Sequence, residues 1–302
     1  MPSPDFIALT DYSTDELSTL LDLARELKQK KAQGELYQPL QGKTIAMLFE
    51  KPSLRTRMTF EAGIFQLGGH GIFMTTKLGE RETVPDMARN LERWVDGIVA
   101  RTHSHAAVLE LAEYAEVPVI NALTDDLHPC QVLADAQTIL EHKGRLDNLK
   151  VAFVGDGNNM FASWANLATR FAFDLTLVCP EGYELTGAVH DNAQAHALGN
   201  YGITNDIDAG LSGADVVYTD VWASMGMEEE YEKRLQEFMP YQVNESMMAK
   251  ANDDAIFMHC LPAHRGEEVT HGVIESKQSV VFDEAENRLH AQKAVMVHLI
   301  KT

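Results

Sequence analysis

The run Thr44-Ile45-Ala46-Met47-Leu48-Phe49 is followed at once by Glu50-Lys51-Pro52-Ser53-Leu54-Arg55-Thr56-Arg57. The apolar part has the length of a buried strand, and the polar part leads into apolar residues at helical spacing over 58–67. The same alternation recurs downstream. Short apolar runs stand at 71–75, 97–100 and 117–120, separated by helical periodicity at 87–94 and 108–115. Strand and helix in this rhythm predict a parallel sheet with helices on both faces.

Upstream, Ser13 and Glu16 have capping-box spacing, Leu17, Leu20, Leu21, Ala24 and Leu27 repeat with helical period, and Gly34 is a stop. A second series opens at Lys150–Val154, directly before Gly155-Asp156-Gly157-Asn158-Asn159, with further strands expected at 175–178, 216–219, 256–258 and 280–282. The periodic segment 128–142 lies between the two series and reads as a bridging helix, and 285–300 reads as a final helix. The expected fold class is α/β: two doubly wound parallel-sheet domains joined by bridging helices, spanning 1–142 and 143–284, followed by a helix at 285–302. A chain of 302 residues exceeds the size at which single cores stop growing, which agrees with two domains. Ligands of open sheets sit beyond the carboxyl ends of the strands, so functional residues are expected just after these runs.

The balance of 25 Lys and Arg against 45 Asp and Glu gives a formal net charge of -20. Such a surface repels nucleic acid and anionic membrane, so neither is expected as a partner. An anionic substrate would need a sharply local cationic pocket. Cys130, Cys179 and Cys260 stand far apart without a CxxC pair, which supports neither a disulfide framework nor a cysteine zinc site. No apolar run approaches transmembrane length, and residues 1–17 lack a basic region followed by an apolar stretch. No signal peptide is expected, and a reducing, cytoplasmic location is.

Polar clusters follow the strands. Ser53-Leu-Arg-Thr-Arg57 opens a helix, where unpaired N–H groups and the positive end of the dipole suit an anion and Arg55 offers a planar fork. The same segment also reads as a serine cap followed by solvated arginines. Arg101 closes the run at 97–100. His128 and Gln131 share one face of a first helical turn begun by Pro129, where they could hold a carbonyl oxygen and an amide. Gly155-Asp-Gly-Asn-Asn159 lacks the third small residue of a dinucleotide fingerprint, and no acidic residue closes the strand about 20 positions on, which disfavours a nicotinamide enzyme. Asp220 to Gly226 and His259-Cys260-Leu261-Pro262 again follow strands. No H-E-x-x-H occurs and His259 and His264 lack zinc-pair spacing, so no metal is expected; the Gly266-Glu267-Glu268 run reads as a solvated helix start.

Together the motifs S-x-R-T-R, R-T, H-P-x-Q and H-C-L-P, in this order and across essentially the whole chain, resemble the aspartate/ornithine transcarbamylase family. The loop Asp220 to Ser224-Met225-Gly226 and Cys260 within H-C-L-P resemble its ornithine branch. The resemblance implies transfer of a carbamoyl group from carbamoyl phosphate to the side-chain amine of L-ornithine, in arginine biosynthesis, without cofactor. It implies a carbamoyl phosphate-binding first domain onto which the last helix returns, and an ornithine-binding second domain. Ser53, Leu54 (through its backbone), Arg55 and Thr56 would hold the phosphate, with Arg57 bracing the loop. Arg101 and His128 would reach the carbonyl oxygen, while Gln131 and carbonyls near Cys260 and Leu261 hold the NH2; Arg288 would add a cation. Asn159, Asp220, Ser224 and Met225 would bind ornithine, with Cys260 beside the attacking amine. Family members are trimers, and Lys77 would reach a neighbouring subunit's site. Leu54 departs from the threonine common in this motif, and Lys77 stands where glutamine is common, a lysine being reminiscent of the aspartate branch. Aspartate, putrescine or an N-acylated ornithine are the alternative acceptors, and a non-catalytic scaffold is the alternative class.

Overall fold

A computed structural model describes residues 5–223 and 230–300. Two compact units divide the chain, the first comprising Met1–Gln137 with Glu286–Thr302, the second Thr138–Ala285.

In the first unit, α1 (Thr14–Ala32) starts at the Ser13–Glu16 capping box and buries Leu17, Leu20, Leu21, Ala24 and Leu27. There follow β1 (Thr44–Phe49), α2 (Arg55–Gln66), β2 (His70–Thr75), α3 (Val84–Leu91), β3 (Gly97–Arg101), α4 (His105–Tyr114) and β4 (Val119–Leu123), with α5 (Pro129–Lys143) leaving the unit. The strands form a parallel sheet in the order β2-β1-β3-β4. Ala46, Leu48, Ile98, Ala100 and Val119 pack with Val84, Ala88, Val108 and Leu111 of α3 and α4. Burial of the Val, Leu and Ile side chains among these contributes roughly 1.5–3 kcal/mol each.

The second unit contains β5 (Lys150–Val154), α6 (Asn159–Ala168), β6 (Asp174–Val178), α7 (Ala188–His196), β7 (Tyr201–Thr204), α8 (Ile207–Leu211), β8 (Val216–Thr219), α9 (Tyr231–Phe238), α10 (Glu245–Met248), β9 (Ile256–His259) and α11 (His271–Ile274), and α12 (Val281–Leu299) leads out of it. Its parallel sheet has the order β7-β6-β5-β8-β9. In each sheet the strand order reverses beside the first strand, between β1 and β3 and between β5 and β8. Such switch points leave a crevice at the carboxyl ends of the two flanking strands.

Two expectations fail locally. The run at 280–282 is no strand: pairing with β9 is limited to a bridge between Phe257 and Ser279, after which α12 begins. Asp283 and Glu284 explain the change, since acidic residues in the first turn complement the dipole. Conversely β7, Tyr-Gly-Ile-Thr, is a strand without an apolar run, half-buried at the sheet edge.

The C-terminal part of α12 belongs to the first unit. Gly63 of α2 admits Lys293, Met296 and Leu289, and a Cβ there would lie 3.1 Å from the Lys293 stem. Lys28 donates to Asn287 at 2.8 Å, and the Tyr12 and His298 rings lie 6.3 Å apart.

Candidate active site

The crevice of the first unit is built from the ends of β1 and β3. After Phe49 the chain turns through Ser53, whose hydroxyl accepts from the Thr56 N–H at 3.1 Å and so caps the first turn of α2. Thr56 is thereby turned inward and buried. Its hydroxyl accepts from Arg101 Nη1 at 3.4 Å and from Arg288 Nη2 at 3.1 Å. Arg288 also donates to the Gln131 side-chain oxygen, and Gln131 passes its own NH2 to Asp135 at 2.8 Å. Arg101, Gln131, Asp135, His128 and Arg288 are all buried.

His128 precedes Pro129 at the start of α5. Its pKa is held well below the ordinary histidine value, first by loss of hydration and then by the charges of Arg288, Arg101, Arg55 and Lys51. At neutral pH it is a neutral imidazole among cations. The local cationic pocket demanded by the charge balance is therefore present, and it combines a helix start, guanidinium forks, a hydroxyl and an amide. Such a set fits a phosphate or acyl phosphate.

Ser53, Arg55, Thr56, Arg101, His128, Gln131 and Arg288 thus converge within one unit. Leu54 is exposed, and its carbonyl accepts from Met58 N–H at 3.0 Å. Arg57 does not brace the loop; it lies on the outer face of α2, bound to Glu61 at 2.9 Å and stacked 3.6 Å over Phe73. The phase of the helix turns it away from Arg55. Lys77 is exposed beyond β2, and among the described residues its ammonium makes no hydrogen bond or ion pair. Lys51 was missed by sequence reasoning: it is buried, paired with Asp125, and acts on His128. Its position directly before Pro52 was the available signal.

The second unit's crevice is formed by the ends of β5 and β8. Gly157 lets the loop pass against the backbone at Leu185, donating to the Tyr183 carbonyl at 2.9 Å. Asn158 then caps α6, accepting from Met160 and Phe161 N–H at 2.9 and 3.2 Å, while its NH2 donates to Asp220 Oδ2 at 3.0 Å. Asp220 Oδ1 accepts from the Cys260 thiol at 3.0 Å and from Val221 N–H at 2.8 Å. Asn159, the asparagine expected at this end, begins α6 half-buried, and Asn158 beside it donates to Asp220. Ser224 and Met225 lie outside the described residues.

Below Cys260, His259 is fully buried. Leu261 N–H donates to its Nδ1 at 2.8 Å, so Nε2 carries the proton toward Glu268 at 3.1 Å. This contact holds Leu261 in the left-handed region, at φ 56°. Glu268 is no part of a solvated helix start: it is buried and also accepts from His264 N–H at 2.6 Å. Among the described residues, Asp220, His259 and Cys260 form one of two donor groups compact enough for a metal, His264, Glu267 and Glu268 the other. Both ring nitrogens of His259 are engaged, so the first group has no imidazole lone pair to offer a metal. The carboxylate, amide and thiol at this switch point suit the ammonium end of a small amino compound.

Residues 4–141 match the family model described as aspartate/ornithine carbamoyltransferase, carbamoyl-P binding domain, and residues 147–299 match its Asp/Orn binding domain. An ornithine carbamoyltransferase of Oceanobacillus iheyensis is 53% identical over 302 residues, covering 98% of this chain and 94% of that protein. One from Thermococcus kodakarensis is 51% identical over 298 residues, covering 97% and 95%. The solved ornithine carbamoyltransferase of Pyrococcus furiosus has a TM-score of 0.94 at 48% identity, covering 97% of this chain and 95% of that one. The anabolic ornithine carbamoyltransferase of Campylobacter jejuni has a TM-score of 0.92 at 41% identity, covering 98% of both chains.

Proposed function

We infer the reaction from the premise that this chain belongs to the aspartate/ornithine carbamoyltransferase family: it transfers the carbamoyl group of carbamoyl phosphate to the side-chain amine of L-ornithine, giving L-citrulline and phosphate. The observation that carries the phosphate end is the meeting of Arg101 and Arg288 on the Thr56 hydroxyl, at the start of α2 and beside a neutral His128.

Carbamoyl phosphate is assigned to Ser53, the Leu54 backbone, Arg55, Thr56 and Arg288, with Arg101 and His128 at its carbonyl oxygen. Gln131 and the carbonyls at Cys260 and Leu261 are assigned its NH2. Asn158 and Asn159, Asp220, Ser224 and Met225 are assigned the amino-acid end of ornithine, and Cys260 the neighbourhood of the attacking amine. The chemistry is attack by a neutral amine on the carbonyl carbon through a tetrahedral oxyanion, with expulsion of phosphate. Free ornithine carries its side-chain amine protonated, as lysine does with a reference pKa near ~10.4, so the attacking form must be selected on binding. Desolvation disfavours the ammonium and helps. Arg101, His128 and Thr56 supply donors for the oxyanion, and the neutral imidazole donates without changing its charge.

A homotrimer is proposed on the strength of an open apolar face. β2 is an edge strand whose Ile72 and Met74 point outward, and α2 adds exposed Met58 and Phe65, the last 79% exposed. Such a face calls for a protein partner, and Lys77 lies just past this strand, where it would serve a neighbouring copy. The three free cysteines suit the cytoplasm, and no helix among the described residues is long and apolar enough to cross a membrane. A biosynthetic, arginine-forming role follows the anabolic relative from Campylobacter jejuni.

Colorimetric detection of ureido product, with ornithine, aspartate, putrescine and N-acetylornithine offered separately, tests the reading. Ornithine is expected to be strongly preferred; a preference for another amine would reassign the acceptor.

A further inference from the structure

Arg234 of α9 has no place in the chemistry above, yet its guanidinium is buried. It donates from Nη1 to Asp156 Oδ2 at 2.6 Å and to the Trp222 carbonyl at 2.9 Å, and from Nε to Glu230 at 2.9 Å. Its plane lies 4.9 Å from the centre of the Tyr183 ring. A buried charge is costly unless fully paired, and here the pairing draws together three stretches of chain: the loop after β5, the segment after β8 and the residue preceding α9.

The neighbours of the partners show what is being held. Asp156 stands two positions before Asn158, and Trp222 two positions after Asp220. The guanidinium therefore ties down the backbone on both sides of the 3.0 Å hydrogen bond from Asn158 to Asp220. A lysine at this place would reach one acceptor but present no planar fork to several. A surface ion pair of α9 with Glu230 alone would need no burial and no carbonyl.

We propose that Arg234 is a positioning residue for the amino-acid acceptor: its fork sets the Gly155 loop and the 220–222 segment at the spacing that lets Asn158 and Asp220 grip ornithine. The proposal rests on the acceptor role given above to Asp220. It assigns Arg234 no contact with substrate.

The test uses the full chain with R234M, R234K and D156N. Steady-state rates give KM for ornithine and kcat, calorimetry gives the carbamoyl phosphate Kd, and thermal unfolding reports the fold. KM for ornithine is expected to rise by roughly tenfold or more in R234M and D156N, the range lost with one charge-assisted hydrogen bond, with R234K between. The carbamoyl phosphate Kd is expected to stay within about twofold, since the residues assigned to its phosphate lie in the other unit and Arg234 touches neither Cys260 nor Leu261. A purely structural role would instead lower kcat through a smaller active fraction at unchanged KM. A folded R234M with the wild-type KM for ornithine, or with equal losses for both substrates, overturns the proposal. Should R234M fail to fold, the near-isosteric D156N decides, and a wild-type KM there overturns it equally. The two failures separate: absence of citrulline formation by the unsubstituted chain overturns the acceptor assignment itself, whereas a variant with unchanged KM overturns the brace alone.

Discussion

Arg288 donates to the Thr56 hydroxyl at 3.1 Å across 232 positions of sequence. One partner sits in the first turn of α2 and the other in α12, so the last helix completes a pocket begun by the first strand. Both side chains are buried, and Thr56 accepts from Arg101 as well. The hydroxyl thus fixes the spacing of two cations before any anion arrives, and preorganised charge of this kind is where oxyanion stabilisation originates.

Replacing Arg288 by Met removes one of those cations while keeping the apolar stem. We expect kcat/KM for carbamoyl phosphate to fall on the order of 10²–10³, with a smaller change in KM for ornithine. Steady-state kinetics with each substrate varied in turn checks this, and equal effects on both would refute the assignment.

His128 makes stability depend on pH. The unfolded chain takes up a proton at this residue near pH ~6.5, while in the folded chain burial and then Arg288, Arg101, Arg55 and Lys51 hold its pKa well below that value. The contribution is therefore complete above the unfolded pKa and is lost as pH falls below it, at about 1.4 kcal/mol per pH unit. Urea midpoints at several pH values between neutrality and mild acid should fall more steeply for the wild type than for His128→Asn. Parallel curves would refute the depressed pKa.

Gly157→Ala places a Cβ 2.3 Å from the Leu185 nitrogen and 2.7 Å from the Glu184 carbonyl carbon. Both are backbone atoms, so the loop or the 183–185 segment has to move. A loss of roughly 1–3 kcal/mol is expected by chemical denaturation, together with a raised KM for ornithine because Asn158 is next in the chain. A variant as stable as the wild type with unchanged KM would show that the loop relaxes freely.

Legibility in the sequence followed the range of the forces involved. The Ser13 capping box, the β1-to-α2 transition and Pro129 at a helix start are local, and all three are found where the spacing placed them. The first-unit cluster was legible except for Arg288, because its other residues stand at strand ends or helix starts, whereas Arg288 lies inside α12 and only the family resemblance pointed to it. Lys51, Glu268 and Arg234 were less legible: all three are charged residues that tertiary pairing buries, and only Lys51 had a local sign, the proline that follows it. Asn158 was passed over beside Asn159 because its capping bonds and its bond to Asp220 depend on where the helix begins, which periodicity does not resolve to one residue. The apolar run at 280–282 failed for the converse reason, since strand and helix ends look alike over so few residues.

Because Arg288 belongs to the first unit but follows the second in the sequence, the ribosome delivers the pocket's parts out of spatial order. A nascent chain can pair β1 through β4 early, yet its buried cationic cluster lacks one of its members until every residue of the second unit has been made. On the proposed assignment, competence to hold carbamoyl phosphate would be tied to completion of the second unit, and a product truncated ahead of α12 would be synthesised with an unfinished charge set.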